Sequence, residues 1–260
     1  MNNLNSDAKK TKILAFSGLF IALALAVDLF APPDIQIGGV SALRISFGGP
    51  FLKLAGLLFG PVIGGIAGVI KDLAGFLIRG SGAYIPLLTV VEFAKGFSIA
   101  WLYIRLSKIE LKIYSAVYTT IFTVIFLGGA LMVMLTLSSP DGALASFFEG
   151  VGKRAVLVPY GLVLAGAVGL AAHLFAWMFF AKKKKNTEFF ERYMKLFLCV
   201  GLPCMIFTTV NTYILRSALL LPDKSILILL IPRLAEEMLT ILYNTYLLTV
   251  LLSFKKLIKV

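Results

Sequence analysis

Eight stretches of this chain are apolar over a length that crosses a bilayer: approximately 13–31, 44–60, 62–79, 86–106, 113–137, 155–181, 195–221 and 226–254. A hydrocarbon core roughly 30 Å thick needs about 20 apolar residues per helix. Backbone in lipid must satisfy its own hydrogen bonds, so each stretch is expected to be helical. The stretches are longer than the roughly ten-residue alternation of an outer-membrane barrel. Composition agrees: of 260 residues, 59% are hydrophobic and 15% charged, against roughly 25% charged in a soluble domain. The expected fold is an all-α polytopic membrane bundle. Disorder and a soluble domain are excluded, and no nucleic-acid partner is expected despite the net charge of +12.

The second stretch is the weakest, because only Gly49 to Gly60 is cleanly apolar. Counted from Arg44 it reaches about 25 Å at the helical rise, so a tilted or broken helix is expected. Gly60-Pro61 closes one helix and opens the next. Orientation follows from Lys and Arg. With the N-terminus inside, 15 of them fall on cytoplasmic segments, including Lys182 to Lys185, and six fall outside: Arg44, Arg79, Lys153, Arg154, Arg216 and Lys224. Both termini are thus expected to be cytoplasmic, and much of the positive charge is a topology signal and a contact for membrane lipid. The first stretch has a basic start but a long apolar run with no clear cleavage site, and is read as a retained helix.

Several chemistries lack their residues. Cys199 and Cys204 fall on different faces of one helix, and His173 is the sole histidine, so no metal site is expected. Gly152-Lys153-Arg154 lacks the upstream glycine and following hydroxyl of a phosphate-binding loop, so no ATPase motif and no cofactor site are read. If such a chain transports, it must couple to an ion gradient or borrow an ATPase from partners.

Ionisable groups inside a span cost a few kcal/mol on insertion scales and therefore face a cavity or one another. Here they gather at one depth. Lys53, Lys71, Asp72, Glu92, Lys95, Asn211, Arg216, Arg233, Glu236 and Glu237 sit in the middle or outer parts of five spans, and the inner halves are almost free of charge. Glu92 with Lys95, and Arg233 with Glu236 or Glu237, have spacings that let side chains meet within one helix. Five spans sharing one depth instead implies a polar chamber open to the outside. Small residues recur every four positions at Gly18, Ala22, Ala26; at Gly60, Gly64, Gly68; and at Gly161, Ala165, Gly169. Such stripes pack helices closely, within the chain or against another membrane subunit.

Arg44-Ile45-Ser46-Phe47-Gly48, then Gly56-Leu57-Leu58-Phe59-Gly60-Pro61 with Gly64, Gly68 and Asp72, resembles the substrate-binding S components of energy-coupling factor (ECF) transporters, folate-type branch. Asn211-Thr212-Tyr213-Ile214-Leu215 and Ile231-Pro232-Arg233-Leu234 resemble that branch's last two helices, and Ala22-x-x-x-Ala26 resembles the first-helix motif that meets the coupling subunit. The match covers roughly 13–106 and 194–254. It implies a six-helix core, to which 113–137 and 155–181 add two helices, about eight in total. The division would be a cytoplasmic tail 1–12, helices 1–4 in 13–106, an inserted pair with a Lys-rich loop in 107–193, and the last two helices with a basic tail in 194–260.

The resemblance further implies a small vitamin ligand captured from outside, a transmembrane coupling subunit, two cytosolic ATPases, and delivery by toppling in the membrane. Arg44 would then hold an anionic ligand group through its planar fork. Asn211 both donates and accepts, which suits a heteroaromatic edge. Arg233 is a second cation, and Asp72 and Glu92 bind ring nitrogens or balance lysines. Tyr84 stacks on a flat ligand or sits at the lipid interface. Loops 32–48 and 79–86, with Gly38, Gly39, Gly80 and Gly82, are gates or ordinary turns. Gly18, Ala22 and Ala26 form the docking stripe. Folate fits this set without being singled out among acidic vitamins. Of the alternatives, an intramembrane CAAX-type protease has the Glu236-Glu237 pair but lacks histidine ligands. A gradient-driven secondary transporter would show repeated halves, and none is evident. A purely structural membrane subunit leaves the polar chamber unexplained.

Overall fold

A computed structural model describes residues 2–30, 35–37, 40–43, 46–79, 84–106, 109–139, 142–151, 158–178, 187–218 and 226–254. Arg44, Gly38, Gly39, Gly80, Gly82 and the run Lys182 to Lys185 lie outside the described residues. The elements are α1 (Asn2–Leu29), β1 (Ile35–Ile37), β2 (Val40–Leu43), α2 (Gly49–Phe59), α3 (Pro61–Arg79), α4 (Pro86–Leu106), α5 (Leu111–Ser138), α6 (Ala143–Val151), α7 (Val158–Ala176), α8 (Thr187–Ala218) and α9 (Ile226–Ser253). The chain is an all-α polytopic membrane bundle, with one short antiparallel hairpin pairing Ile37 with Val40 and Ile35 with Leu43.

Among the described residues, six helices (α1, α3, α4, α5, α7 and α8) are long and apolar enough to cross a membrane. The 28-residue α9 is also long enough, but Arg233, Glu236 and Glu237 crowd its first half. Three details add to the expected outline. Helix α1 starts at Asn2 and so takes in the segment 1–12 expected as a tail; there Asp7 pairs with Lys10 at 3.4 Å and accepts the Thr11 hydroxyl through its carbonyl. The hairpin falls within the expected loop 32–48 and α6 lies between two expected spans, because short elements leave no apolar run of spanning length. The second span is much shorter than 44–60.

That span, α2, is an 11-residue helix of about 16 Å, roughly half the hydrocarbon thickness. Apolar content does not register what starts it. Pro50 sits in its first turn, where a missing N–H costs nothing. The Gly48 amide and the Ser46 hydroxyl both donate to the Asp28 carboxylate of α1, at 2.8 and 3.0 Å. Asp28 thereby supplies negative charge at a helix N-terminus. The crossing is tight: a β-carbon on Gly48 would lie 2.2 Å from the Ala24 carbonyl oxygen. At the other end Gly60 takes φ 105°, its amide closing on the Gly56 carbonyl at 2.8 Å, and Pro61 opens α3 as expected.

Lipid offers no hydrophobic force between helices, so close backbone approach does the work. Gly64 and Gly96 bring α3 against α4, Gly56 brings α2 against Gly64, and Gly68 lies on the Glu92 carbonyl. The α3 stripe is thus intramolecular packing. In α5 and α7, Gly166 meets Phe126 and Gly169 meets the Phe122 ring, whereas Gly161 has open space around it. Tyr118 anchors this pair to α8: its ring packs on Phe122, Phe197 and His173, with centroids 4.6, 4.5 and 5.3 Å away, and its hydroxyl donates to the Gly169 carbonyl. His173 reaches Ser115 at 3.2 Å, and Cys199 and Cys204 are buried free thiols. Of the six long apolar helices, α8 buries the largest share and α5 the smallest.

Candidate ligand-binding site

The polar residues of α2, α3, α4, α8 and α9 converge on a cavity of about 350 Å³, within the size range of small-molecule sites. Each helix contributes one stripe at helical spacing: Gly49 and Lys53 from α2; Gly64, Gly68, Lys71 and Asp72 from α3; Glu92, Lys95 and Ile99 from α4; Thr208, Asn211 and Leu215 from α8; Arg233, Glu236, Glu237, Thr240 and Asn244 from α9. The stripes turn inward because the alternative is lipid, where an ion is expensive. Among the described lining residues, four are basic (Lys53, Lys71, Lys95, Arg233) and four acidic (Asp72, Glu92, Glu236, Glu237).

Pairing runs between helices. Lys95 reaches Glu237 of α9 at 3.9 Å, and Glu237 accepts the Thr208 hydroxyl at 2.8 Å. Lys71 pairs with Asp28 at 3.1 Å. Lys95 forms no ion pair with Glu92 among the described residues; its partner comes from another helix. The Arg233 guanidinium donates to Thr212 Oγ1 at 3.2 Å. Asp72 accepts the Thr89 hydroxyl at 2.6 Å, and Thr89 in turn meets the Tyr84 hydroxyl at 2.7 Å.

Of the residues singled out from the sequence, Asp72, Glu92, Asn211 and Arg233 all line this cavity. Tyr84 does not. It is 38% exposed, rests on Phe76 at 5.1 Å, and touches the site only through Thr89. Arg44 falls outside the described residues. Gly18, Ala22 and Ala26 lie together on an exposed face of α1, opposite the buried Ala24 and Asp28.

Two residues were missed. Asp28, 4% exposed, lies inside the expected first span, near its outer end, where a single charge among apolar residues carries no partner in sequence. Asn244 is uncharged, yet it continues the α9 stripe one turn beyond Thr240 and is fully buried; among the described residues neither its amide atoms nor Asn211 Oδ1 has a hydrogen-bond partner. Polar atoms buried in this state are costly, and a cavity-facing set of them is suited to a guest.

A family model described as "ECF-type riboflavin transporter, S component" matches residues 8–154, more than half the chain. The chain belongs to the ECF-type S components. It is thus a multi-pass membrane protein of a vitamin-transport family. This S component is also 29% identical over 104 residues to the folate transporter FolT of Clostridium novyi (strain NT), a match covering 40% of the chain and 57% of that relative. The S component therefore spans a little over half the length of its curated relative. No solved structure matches it. The family model's residues run through α5 and α6, taking in the first of the two helices read as an addition.

Proposed function

We propose that this S component captures a vitamin with a flat heteroaromatic ring and an anionic group, folate or a close chemical relative, from the outer face of the cell membrane. It passes that vitamin through a transmembrane coupling subunit driven by two cytosolic ATPases. The observation that carries the reading is the convergence of polar side chains from five helices on one ligand-sized cavity. Asn211 and Asn244 present donors and acceptors to a ring edge, and Arg233 meets an acidic group. Arg44 is proposed as a second contact for that acid. Asp72 and Glu92 take ring N–H or amino donors, and Tyr84 acts behind Asp72 through Thr89. The FolT relative supports folate, and the riboflavin family model supports a fused heterocycle more generally.

The exposed Gly18, Ala22 and Ala26 face of α1 is proposed as the surface that meets the coupling subunit, since small residues allow a partner's helix to approach closely. Both termini are proposed to be cytoplasmic, on the bias of Lys and Arg. The test is titration of the purified protein with folic acid and riboflavin, followed by uptake into vesicles. Tight binding by the chain alone, and uptake only with co-expressed ATPases and ATP, is the expected result. Uptake by the lone chain on an ion gradient would sink the proposal.

A further inference from the structure

Asn244 is 0% exposed, lines the cavity and, among the described residues, leaves both Oδ1 and Nδ2 without a partner. Lys53 also lines it and, among the described residues, makes no ion pair or hydrogen bond. The two side chains flank Gly49: a β-carbon there would lie 3.0 Å from Lys53 Nζ and 3.3 Å from Asn244 Oδ1. Gly49 is the first residue of α2, whose N-terminus carries a partial positive charge. Even a methyl group there would crowd both groups, so a bare glycine is what lets the ammonium and the carboxamide share this corner of the cavity.

We propose that Gly49, Lys53 and Asn244 form a subsite for a lactam edge, a carbonyl beside an N–H on a fused nitrogen heterocycle. An ammonium only donates, while a carboxamide both donates and accepts. The set therefore suits an acceptor with a donor next to it. Lys53 and Asn244 Nδ2 point their hydrogens at the ligand carbonyl, and Asn244 Oδ1 takes the ligand N–H. A carboxylate fits less well, because Asp28 already bonds the Gly48 amide at the start of α2, and Glu92 and Glu237 line the same cavity. An amine is disfavoured by Lys53. Flavin and pterin rings both carry a lactam edge, so the subsite serves either vitamin class. It rests on the function proposed above and adds which end of the ligand lies against α2.

The experiment titrates the purified full-length protein with riboflavin, folic acid and the N3-methyl derivative of each, the methyl blocking the lactam N–H. The vitamin that binds is expected to lose at least tenfold in affinity on N3-methylation. Asn244→Ala is expected to weaken the parent vitamin about ten- to hundredfold and to bind parent and methylated forms alike. Lys53→Met is expected to weaken both forms about tenfold. A vitamin bound equally well with and without the methyl group, or bound by Asn244→Ala at wild-type affinity, overturns the subsite and leaves the vitamin function standing. Failure of the wild type to bind either vitamin overturns both. Should Asn244→Ala not fold, the methyl comparison on the wild type decides alone.

Discussion

A β-carbon on Gly96 would lie 2.2 Å from the Gly64 carbonyl oxygen, and one on Gly64 would lie 2.7 Å from that of Gly96. Backbone cannot retreat as a flexible side chain does, so α3 and α4 must separate. Gly96→Val is expected to destabilise the protein by about 1–3 kcal/mol and to weaken vitamin binding, because both glycines also line the cavity. Thermal unfolding and ligand titration check the two effects. Asp28 poses a different problem at the same scale. Its carboxylate holds Lys71, Ser46 and the Gly48 amide together. Asp28→Asn is expected to cost roughly 2 kcal/mol, as charge-assisted bonds do. Asp28→Ala should cost more, and a thermal midpoint matching the wild type in both variants would contradict this.

The helices divide into those that build the cavity and those that do not. None of the described lining residues comes from α5 or α7, which pack on each other, meet α8 through the Tyr118 cluster, and touch α9 through α7. Gly169→Val, which drives a side chain into the Phe122 ring, is expected to lower the thermal midpoint while leaving vitamin affinity within about twofold. A large affinity loss would mean that the pair shapes the cavity from a distance. On α1 the exposed stripe gives the opposite test: Ala22→Leu with Ala26→Leu is expected to impair ATP-driven uptake and spare binding. Helix existence and order were legible from apolar length alone, because lipid forces that signal. The start of α2 was not, since Pro50, Gly48 and a carboxylate from another helix decide it. Partner choice was hidden for the same reason. Lys95 finds Glu237 and Lys71 finds Asp28 across helices, and local spacing reports only neighbours on the same helix.

For the molecule as a whole, depth was the most informative signal in the sequence. Charges on five spans at one level predicted a shared chamber, and the structure joins those five helices around it. Asn244 was not legible in this way because it lies about two turns beyond Glu237 along α9, away from the level that the charges mark. If the chamber is a receptor, occupancy must stabilise the fold by linkage. A vitamin at a hundredfold its dissociation constant is expected to add about 2.7 kcal/mol, read as a rise in thermal midpoint, and no rise would count against binding to the native state. The balance of lysines and arginine against carboxylates around the void has a further physical meaning. Opposite charges around a void attract one another, but each still pays its own cost for leaving water, so the four bases and four acids among the described lining residues favour a mouth that stays in contact with water until a guest replaces it.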